Sequence, residues 1–390
     1  MNRNVPKLRF KGFEDEWRKG KLGDMSKIIM GQSPSSNAYN YNKEGLPLVQ
    51  GNADITKRIT TPRMYTTEIT KTCEIEDIIM SVRAPVGSIA IAKQRSCIGR
   101  GVCSIKAIGI NQKYLYQVLL GYEKKWLKIS QGSTFESINS NDIKGVMLNI
   151  PSLQEQEKIA NFLSKVDSII EKQERKVEYW NSYKKGMMQK IFSQKIRFKD
   201  EKGRDYPEWE NVNFSKITKK TGVRNKENKE FRVYSISNKY GFIPQDEQFE
   251  SSRLESLDKS AYKIVENGDF AYNPARINVG SIGLLEDEIG IVSSLYVCFR
   301  FIKNMDNKFF KYYFSTYEFN KNVLRNVEGG VRDYLFYDNF IKIKVKVPCI
   351  EEQEKIANFL SNIDNIIDKE SEKLEELKQW KKGLLQQMFV

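Results

Sequence analysis

The sequence contains no histidine among its 390 residues, and this absence excludes several classes of enzyme. Ser-His-Asp and Cys-His catalytic sites, zinc-metallopeptidase motifs and histidine-dependent nucleases all require an imidazole. The chain is also poor in cysteine: its five cysteines contain no Cys-x-x-Cys pair, so a zinc site is not expected. An odd number of cysteines without a signal peptide is typical of the reducing cytoplasm. We expect the five cysteines to be small buried residues.

Long apolar runs are missing as well. No segment approaches the roughly 20 apolar residues that span a bilayer, and Met1 to Phe10 lacks the apolar stretch of a secretory signal. Apolar residues still make up 40% of the chain, which is enough for packed cores and excludes general disorder. We therefore expect a cytoplasmic protein of two or three domains. Its net charge of +14 is compatible with nucleic acid or an acidic membrane surface, and composition alone does not choose.

The chain is a tandem duplication. The segment PSLQEQEKIANFLSKVDSIIEK, which starts at Pro151, returns as PCIEEQEKIANFLSNIDNIIDK, which starts at Pro348. The match continues to the end of the chain, and about half of the 43 positions aligned between 151–193 and 348–390 are identical. The opening KLRFK at Lys7 returns as KIRFK at Lys195, and a Glu-Trp pair follows each opening. Each half is therefore expected to hold a body followed by one copy of the repeat.

This duplication predicts four segments. They are a first body at 1–150, a central helix at 151–193, a second body at 194–347 and a C-terminal helix at 348–390. Their net charges are +10, +2, +5 and −3 in that order. Because the positive charge lies in the two bodies, an anionic partner is expected to meet the bodies rather than the helices.

The two repeats are predicted to be long helices that pair. Apolar residues recur in alternating steps of four and three, which is the pattern of a coiled-coil seam. Four polar residues interrupt this seam, namely Gln173, Lys184, Glu370 and Lys381. A parallel, in-register pair would bury Lys184 against Lys381, which is costly. An antiparallel pair places Lys184 against Glu370 and Lys381 against Gln173.

We therefore favour an antiparallel coiled coil that holds the two bodies at opposite ends with pseudo-twofold symmetry. An ordinary amphipathic helix packed on its own body is the alternative. The bodies themselves are predicted to mix strands and helices, which makes the fold α+β. The expected strands are 78–82, 88–92, 102–105, 146–150, 281–285, 296–301 and 341–347, and the expected helices are 112–120 and 308–317. Asp77–Ile89 also resembles Asp269–Ile282, so the bodies are expected to share one fold with different surface residues.

A polar and aromatic surface is the candidate for contact with nucleic acid. Arg pairs with guanine edges, Asn and Gln with adenine edges, and Ser or Tyr with phosphates. In the first body the candidates are Gln32, Ser33, Ser35, Asn37, Tyr39 and Tyr41 of the uncharged 31–41 loop, with Arg83, Arg95, Arg100 and Ser133. In the second body they are Arg224, Tyr272, Asn273, Arg276, Asn278, Arg332 and Tyr334. A solvated surface turn is the alternative interpretation for more than half of these positions.

The duplicated layout resembles the specificity subunit of Type I restriction-modification enzymes. The resemblance covers nearly the whole chain. It is carried by the repeated EQEKIANFLSxxDxII helices at 155–170 and 352–367, their Lys-Lys-Gly ends, the openings KLRFKGFEDEW (7–17) and KIRFKDEKGRDYPEW (195–209), and GQSPSSNAYNYNKEGLPLVQGNADI (31–55).

The resemblance implies a non-catalytic subunit with two target-recognition domains, each of which reads one half of a bipartite site in double-stranded DNA. It implies that the paired helices fix the gap between the half-sites and dock two modification (methyltransferase) subunits. No cofactor is expected in this chain: S-adenosylmethionine belongs to the modification subunits, and ATP and Mg to restriction subunits that supply a translocase and nuclease. No membrane partner is implied.

Two alternatives come from other classes of protein. A DNA-modifying enzyme would need an Asn/Asp-Pro-Pro-aromatic loop to hold a flipped adenine, and the nearest string, Asn273-Pro274-Ala275-Arg276, lacks the second proline and the aromatic. The chain also has no Gly-rich dinucleotide fingerprint after a strand and no Walker A sequence. A coiled-coil scaffold that binds proteins alone would explain the helices but leaves the positive charge of the bodies without a use.

Overall fold

The chain folds into two compact units, and each unit combines one body with part of both long helices. The computed structural model describes residues 5–130, 137–247, 259–302, 304–328 and 333–389. The first unit comprises residues 1–175 and 371–390, and the second comprises residues 176–370. No helix in the described part of the chain is long and apolar enough to cross a membrane.

The first body consists of short strands and two helices. The strands are β1 (Arg18–Lys21), β2 (Ser26–Met30), β3 (Tyr39–Asn40), β4 (Leu46–Val49), β5 (Ile55–Thr56), β6 (Ile59–Thr60), β7 (Met64–Thr66), β8 (Thr72–Cys73), β9 (Ile78–Ser81), β10 (Ile89–Ile91), β11 (Ser96–Ile98), β12 (Val102–Ala107) and β13 (Met147–Ile150). The helices are α1 (Gln112–Ser130) and α2 (Ser140–Lys144). The sheets have the strand orders β2-β12-β9-β10-β6-β5, β3-β7-β4-β11-β8 and β1-β13.

Strand β9 lies at the centre of the first body with both faces covered. Its four residues, Ile-Ile-Met-Ser, are all buried. Ile78 and Met80 belong to the core that includes α1, whereas Ile79 belongs to a second core with Val49 and Ile98. Because successive strand residues point to opposite faces, an uninterrupted apolar run is what a strand covered on both sides requires.

The second body repeats this topology with fewer strands. They are β14 (Glu210–Asn213), β15 (Thr218–Lys220), β16 (Val233–Ser237), β17 (Gly241–Pro244), β18 (Lys263–Glu266), β19 (Asp269–Tyr272), β20 (Ile282–Leu284), β21 (Ile289–Val292), β22 (Val297–Phe301) and β23 (Lys344–Val347). The sheets are β15-β22-β19-β20, β17-β16-β21-β18 and β14-β23. Each matches a sheet of the first body, and the parallel pairing of β4 with β11 recurs as that of β16 with β21. The first body has a further parallel pair, β10 with β6. The prediction of one shared fold is confirmed.

The predicted strands are all present, and three predicted elements differ by more than two residues in their bounds. The helix expected at 112–120 continues to Ser130 as α1. The helix expected at 308–317 is two helices, α5 (Asn307–Tyr313) and α6 (Tyr317–Asn326), after the short α4 (Phe214–Ile217). The break occurs because the Thr316 hydroxyl accepts a hydrogen bond from the Phe319 amide at 3.2 Å and caps a new helix. The strand expected from Ile341 begins only at Lys344, because α7 (Tyr337–Phe340) ends directly before it.

The two repeats form the long helices α3 (Leu153–Phe192) and α8 (Ile350–Met388). In the first unit Asp167 of α3 ion-pairs with Lys381 of α8, and Glu174 with Lys378. In the second unit Lys176 pairs with Glu370, and Lys184 with Asp364. As the residue number on α3 rises, that of its partner on α8 falls. The helices therefore run antiparallel, and the predicted α+β fold class is confirmed.

The predicted register of the helix pair is wrong for both lysines. Lys184 donates to Asp364 at 2.5 Å rather than facing Glu370, and Lys381 donates to Asp167. A lysine side chain is long enough to reach a carboxylate beside the seam, so the pairing of seam residues alone does not set the register. Both aspartates also bind a body helix: Gln117 of α1 donates to Asp167 at 2.7 Å, and Tyr312 of α5 donates to Asp364 at 2.7 Å. The aspartates thus join each body to both long helices.

The repeated openings anchor each body to its helix through one buried carboxylate. Arg9 donates two hydrogen bonds of 2.8 Å to Glu155 of α3, and the Trp17 indole donates to the same carboxylate at 3.2 Å. Glu155 is 1% exposed. A buried carboxylate is tolerated only when it is paired and its oxygens accept hydrogen bonds, and here both conditions are met.

The second half repeats this anchor. Arg197 donates to the two oxygens of Glu352 at 3.3 and 2.8 Å, and the Trp209 indole donates at 3.1 Å. The hydrogen bond to Glu352 raises the pKa of the Arg197 guanidinium above its ordinary value. The Arg-Phe and Glu-Trp motifs of the openings therefore supply the donors, and the Glu of the helix repeat supplies the acceptor, of one buried hydrogen-bond cluster.

The glutamine that follows each buried glutamate holds the body helix. Gln156 accepts from the Asn111 amide at 2.8 Å, and Gln353 accepts from the Asp306 amide at 2.9 Å. Asn111 in turn accepts from the Tyr114 amide of α1, and Asp306 from the Phe309 amide of α5, so both are helix caps. The Glu-Gln pair therefore connects each long helix to an opening segment and to a body helix.

Replacing Glu352 by Ala removes the carboxylate that Arg197 and Trp209 share. Breaking a buried ion pair from one side costs about 3–5 kcal/mol, so the unfolding free energy of the full chain should fall by about 3 kcal/mol in a urea titration. Glu208→Ala is the matched control, because Glu208 also pairs with Arg197 but its side chain is 90% exposed. That variant should lose less than about 1 kcal/mol. Equal losses would contradict the anchor.

A double-mutant cycle tests the register. Asp364→Ala and Lys184→Ala, made singly and together, should show a coupling of about 1 kcal/mol in urea unfolding, because they remove one half-buried ion pair. The matched cycle of Lys184→Ala with Glu370→Ala should be additive to within about 0.5 kcal/mol. A larger coupling in the second cycle would support the heptad-derived register instead.

Candidate nucleic-acid interface

Three loops of the first body meet at the end of β9. The Ser33 hydroxyl accepts a hydrogen bond from the Arg100 amide at 3.1 Å, and the Val82 amide donates to the Gly101 carbonyl at 2.9 Å. Arg83, the next residue, forms an isolated antiparallel bridge with Ser137. These contacts place Gln32, Ser33, Arg83 and Arg100 at one edge, which we call the first contact surface.

Close backbone approach at this edge requires glycine. A Cβ at position 31 would lie 2.2 Å from the Gly99 carbonyl oxygen, so Gly31 admits no side chain. Gly87, at the far end of the loop that contains Arg83, has φ of +86°, and Gly280 in the second body has φ of +89°. The predicted resemblance between the two segments thus corresponds to the same left-handed turn.

The first contact surface carries positive charge that the described residues do not neutralise. Arg83 and Arg100 are exposed, and neither forms an ion pair with a described carboxylate. Arg95 differs, because it pairs with Glu74 at 3.3 Å. The segment between β10 and β11 that contains Arg95 bonds to the start of β9 through the amides of Glu76 and Ala92, so Arg95 lies at the other end of the strand from Arg83.

The other candidates of the 31–41 loop play mixed roles. The Tyr39 hydroxyl donates to the Pro34 carbonyl at 3.0 Å, and the Ser35 amide donates to Glu68 at 2.9 Å, so both residues help to shape the loop. Asn37 is exposed, and Tyr41 is 77% exposed. Ser133 lies outside the described residues.

A corresponding edge exists in the second body. The Leu335 amide donates to the Pro274 carbonyl at 3.0 Å, which joins the loop after β19 to the segment before α7. This places Asn273, Arg276, Tyr334 and Phe336 together, and we call these four residues the second contact surface. Arg276 is exposed and forms no ion pair with a described carboxylate. Asn278 is exposed in the same loop, and Arg332 lies outside the described residues.

The prediction that Tyr272 contacts nucleic acid is wrong. Its side chain is 0% exposed. The centroid of its ring lies 5.5 Å from that of Phe340 and 6.2 Å from that of Phe299. Burial raises the pKa of Tyr272 well above its ordinary value, so the hydroxyl stays neutral. The residue ends β19, whose four residues are all buried. Tertiary packing decides this position rather than the polarity of a tyrosine.

Arg224 belongs to a basic cluster that sequence reasoning found only in part. The cluster consists of Lys220, Arg224 and Lys263, and Arg224 bridges Lys263 in the backbone. Burial lowers the pKa of Lys263 below its ordinary value, and the positive charges of Lys220 and Arg224 lower it further. The positive charges in this cluster repel one another, and a bound anion would reduce that repulsion. Lys263 was missed because it lies 39 residues after Arg224 in the sequence and reaches it only through the bridge between the two backbones.

Phe336 was also missed. The signal for it was the run Tyr-Leu-Phe at 334–336, in which a buried Leu335 alternates with two outward residues. As for metals, no group of three or more Cys, Asp or Glu residues in the described ranges is arranged to hold an ion.

Fold and surfaces together define a protein with two recognition domains of one topology. The chain belongs to the Type I restriction modification DNA specificity domain family. The sequence model of this family matches residues 14–179 and 209–379. The two matched ranges correspond to the two halves of the duplication. The description of the family names DNA, and the contacts of individual residues stay predictions.

Named relatives agree with this assignment. The chain is 35% identical to the putative type I restriction enzyme MjaX specificity subunit of Methanocaldococcus jannaschii over 192 residues, which is 47% of this chain and less than half, 44%, of that protein. It is 24% identical to the MjaVIII specificity subunit of the same organism over 412 residues, or 95% of this chain and 91% of that one.

Solved structures share the fold. The S subunit of a Type I restriction-modification system from M. genitalium matches with a TM-score of 0.61 and 16% identity over 99% of both chains. A chain from a structure of complex assembly and conformational transition in the type I R-M system matches with a TM-score of 0.58 and 16% identity, over 96% of this chain and 98% of that one.

The basic cluster should contribute to phosphate contact. Lys220 and Arg224 are both replaced by Gln, and DNA binding by the assembled complex is measured at several salt concentrations. The plot of the logarithm of the DNA association constant against the logarithm of salt concentration should become less steep by about two, because each phosphate contact contributes about 0.9 to the slope. Lys344→Gln with Lys346→Gln is the matched control, since both lysines are exposed on β23 of the same body. Equal changes in slope for the two double variants would contradict a specific role for the cluster.

Proposed function

We propose that this chain is the cytoplasmic DNA-recognition subunit of a Type I restriction-modification complex, in which each body reads one half of a bipartite site in double-stranded DNA. One observation carries the proposal. Two bodies of the same topology present arginines without described acidic partners on equivalent loops, Arg83 after β9 and Arg276 after β19. Arginine is the commonest reader of guanine in the major groove.

The two surfaces differ in chemistry, so the two half-sites are expected to differ in sequence. The first surface combines hydroxyl and amide groups with two arginines, Arg83 and Arg100. The second combines Asn273 and Arg276 with the rings of Tyr334 and Phe336. A duplicated fold with unequal surfaces is suited to reading an asymmetric site.

The long helices are proposed to set the gap between the half-sites and to dock two modification (methyltransferase) subunits. Supporting this, Glu155 and Glu352 each join one body to its long helix through an ion pair with a buried carboxylate. Two copies of one helix sequence, run antiparallel, offer two equivalent surfaces to two equal partners.

Catalysis is assigned to those partners. The modification subunits would methylate adenine with S-adenosylmethionine, and restriction subunits would use ATP and Mg. This chain has no histidine and no Asn/Asp-Pro-Pro-aromatic loop for a flipped adenine. A scaffold that binds only proteins is disfavoured, because it would leave the arginines of both surfaces without a use.

Exchanging one body tests the proposal. Residues 1–150 are replaced by the corresponding body of another specificity subunit, and methylated adenines are mapped across the genome in cells with and without the chimera. Because each body reads its own half-site, one half of the methylated sequence should change while the other half and the gap persist.

The reciprocal exchange of residues 194–347 is the control and should change only the other half. If either chimera altered both halves, the modular proposal would fail. If methylation in cells with the unaltered chain showed no sequence preference at all, the assignment of DNA recognition to this chain would fail.

A further inference from the structure

Two aromatic rings of the second contact surface form a stack that faces solvent. The Tyr334 and Phe336 rings lie 5.7 Å apart between centroids, with planes 4° from parallel. Phe336 is 47% exposed, whereas Leu335 between them is 0% exposed. An exposed aromatic ring forgoes the free energy that its burial would supply.

The backbone that carries this stack is held in place on three sides. The amides of Glu328 and Tyr334 donate to each other's carbonyls at 2.9 and 3.3 Å, and the Leu335 amide donates to the Pro274 carbonyl at 3.0 Å. The Phe340 amide donates to the Phe336 carbonyl at 2.9 Å, which begins α7. The rings are therefore presented in one position, which lowers the entropy cost of binding a ligand there.

Charges of both signs surround the stack. Arg276 lies in the adjoining loop, and the Lys220 ammonium lies 5.8 Å from the ring centroid of Tyr337. Asp333 and Asp338 are exposed on either side. Carboxylates repel phosphates but accept hydrogen bonds from cytosine amino groups, so this neighbourhood fits base edges better than the DNA backbone.

The first body has the same backbone arrangement before its short helix, but the outward side chains differ. Ser137, Ile138 and Asn139 occupy the places of Tyr334, Leu335 and Phe336 before the short helix α2. Ile138 is buried like Leu335, and its amide donates to the Val82 carbonyl at 3.0 Å just as that of Leu335 donates to Pro274. The two outward positions are polar in one body and aromatic in the other.

We infer that Tyr334 and Phe336 determine part of the specificity for the second half-site, by packing against the methyl group of a thymine in the major groove. Ser137 and Asn139 occupy the equivalent positions for the first half-site. The inference rests on the proposed function. It adds the two side chains that make the contact and the base that they contact. Apolar contact with the C5 methyl group distinguishes thymine from the other bases.

The test compares the assembled complex containing the wild-type chain with one containing Tyr334→Ser/Phe336→Asn, the side chains of the first body. Leu335 is kept, and asparagine is a favourable residue before a helix, so the variant is expected to fold. Preference at one or two base pairs of the second half-site should fall about tenfold, and the first half-site should be unaffected. Tyr317→Ser is the control, because Tyr317 is an 81% exposed aromatic in the same body.

Deoxyuridine in place of each thymine of the second half-site identifies the base. The wild-type complex should lose affinity several-fold at one position, since the methyl group alone is removed, and the variant should be indifferent there. Identical base preferences and identical sensitivity to deoxyuridine in both complexes would overturn the inference while leaving the proposed function intact.

Two further outcomes separate the possibilities. Increased fluorescence of 2-aminopurine in the second half-site on binding would indicate insertion of a ring between base steps, and would overturn the edge contact. A wild-type complex without any half-site preference would instead overturn the proposed function itself.

Discussion

A buried glutamate on each long helix is the interaction on which the rest of the structure depends. An ionised carboxylate in a protein interior costs several kcal/mol unless its partners compensate for the lost water. Glu155 and Glu352 each receive a guanidinium and an indole N–H, all from the opening segment of the same half. Arg9 and Arg197 thereby close each body onto its helix, and the Glu-Trp motif is placed by the same carboxylate.

The helix pair and the bodies are coupled by a second set of polar contacts. Asp167 and Asp364 each accept from a lysine of the opposite long helix and from a residue of a body helix, Gln117 or Tyr312. One side chain therefore contributes both to the register of the helices and to the seating of the body. A polar layer in a coiled coil specifies register at a cost in stability, and here the cost is reduced because each aspartate has two donors.

The candidate surfaces follow from this frame. The loops after β9 and β19 are held by short strands and by the segments before α2 and α7, so their outward residues can vary while the backbone is retained. Arg83 and Arg276 are exposed, as a surface role requires, and their contact with DNA stays a prediction. The same prediction is wrong for Tyr272, because an aromatic residue at the end of a strand is compatible with a core or a surface position, and only the packing of Phe299 and Phe340 decides.

The duplication, the two long helices and most of the strands could be predicted from the sequence, because these depend on local periodicity and repeated motifs. The antiparallel direction was also predicted correctly, although the structure does not form the lysine pairings from which it was argued. Only the tertiary structure shows the register, since lysines reach aspartates beside the seam. It also shows the contact of Glu155 with Arg9 and Trp17, which precede it by more than a hundred residues. It also decided which polar residues share a surface. Those proximities arise from strand order and loop contact, which no local pattern in the chain encodes.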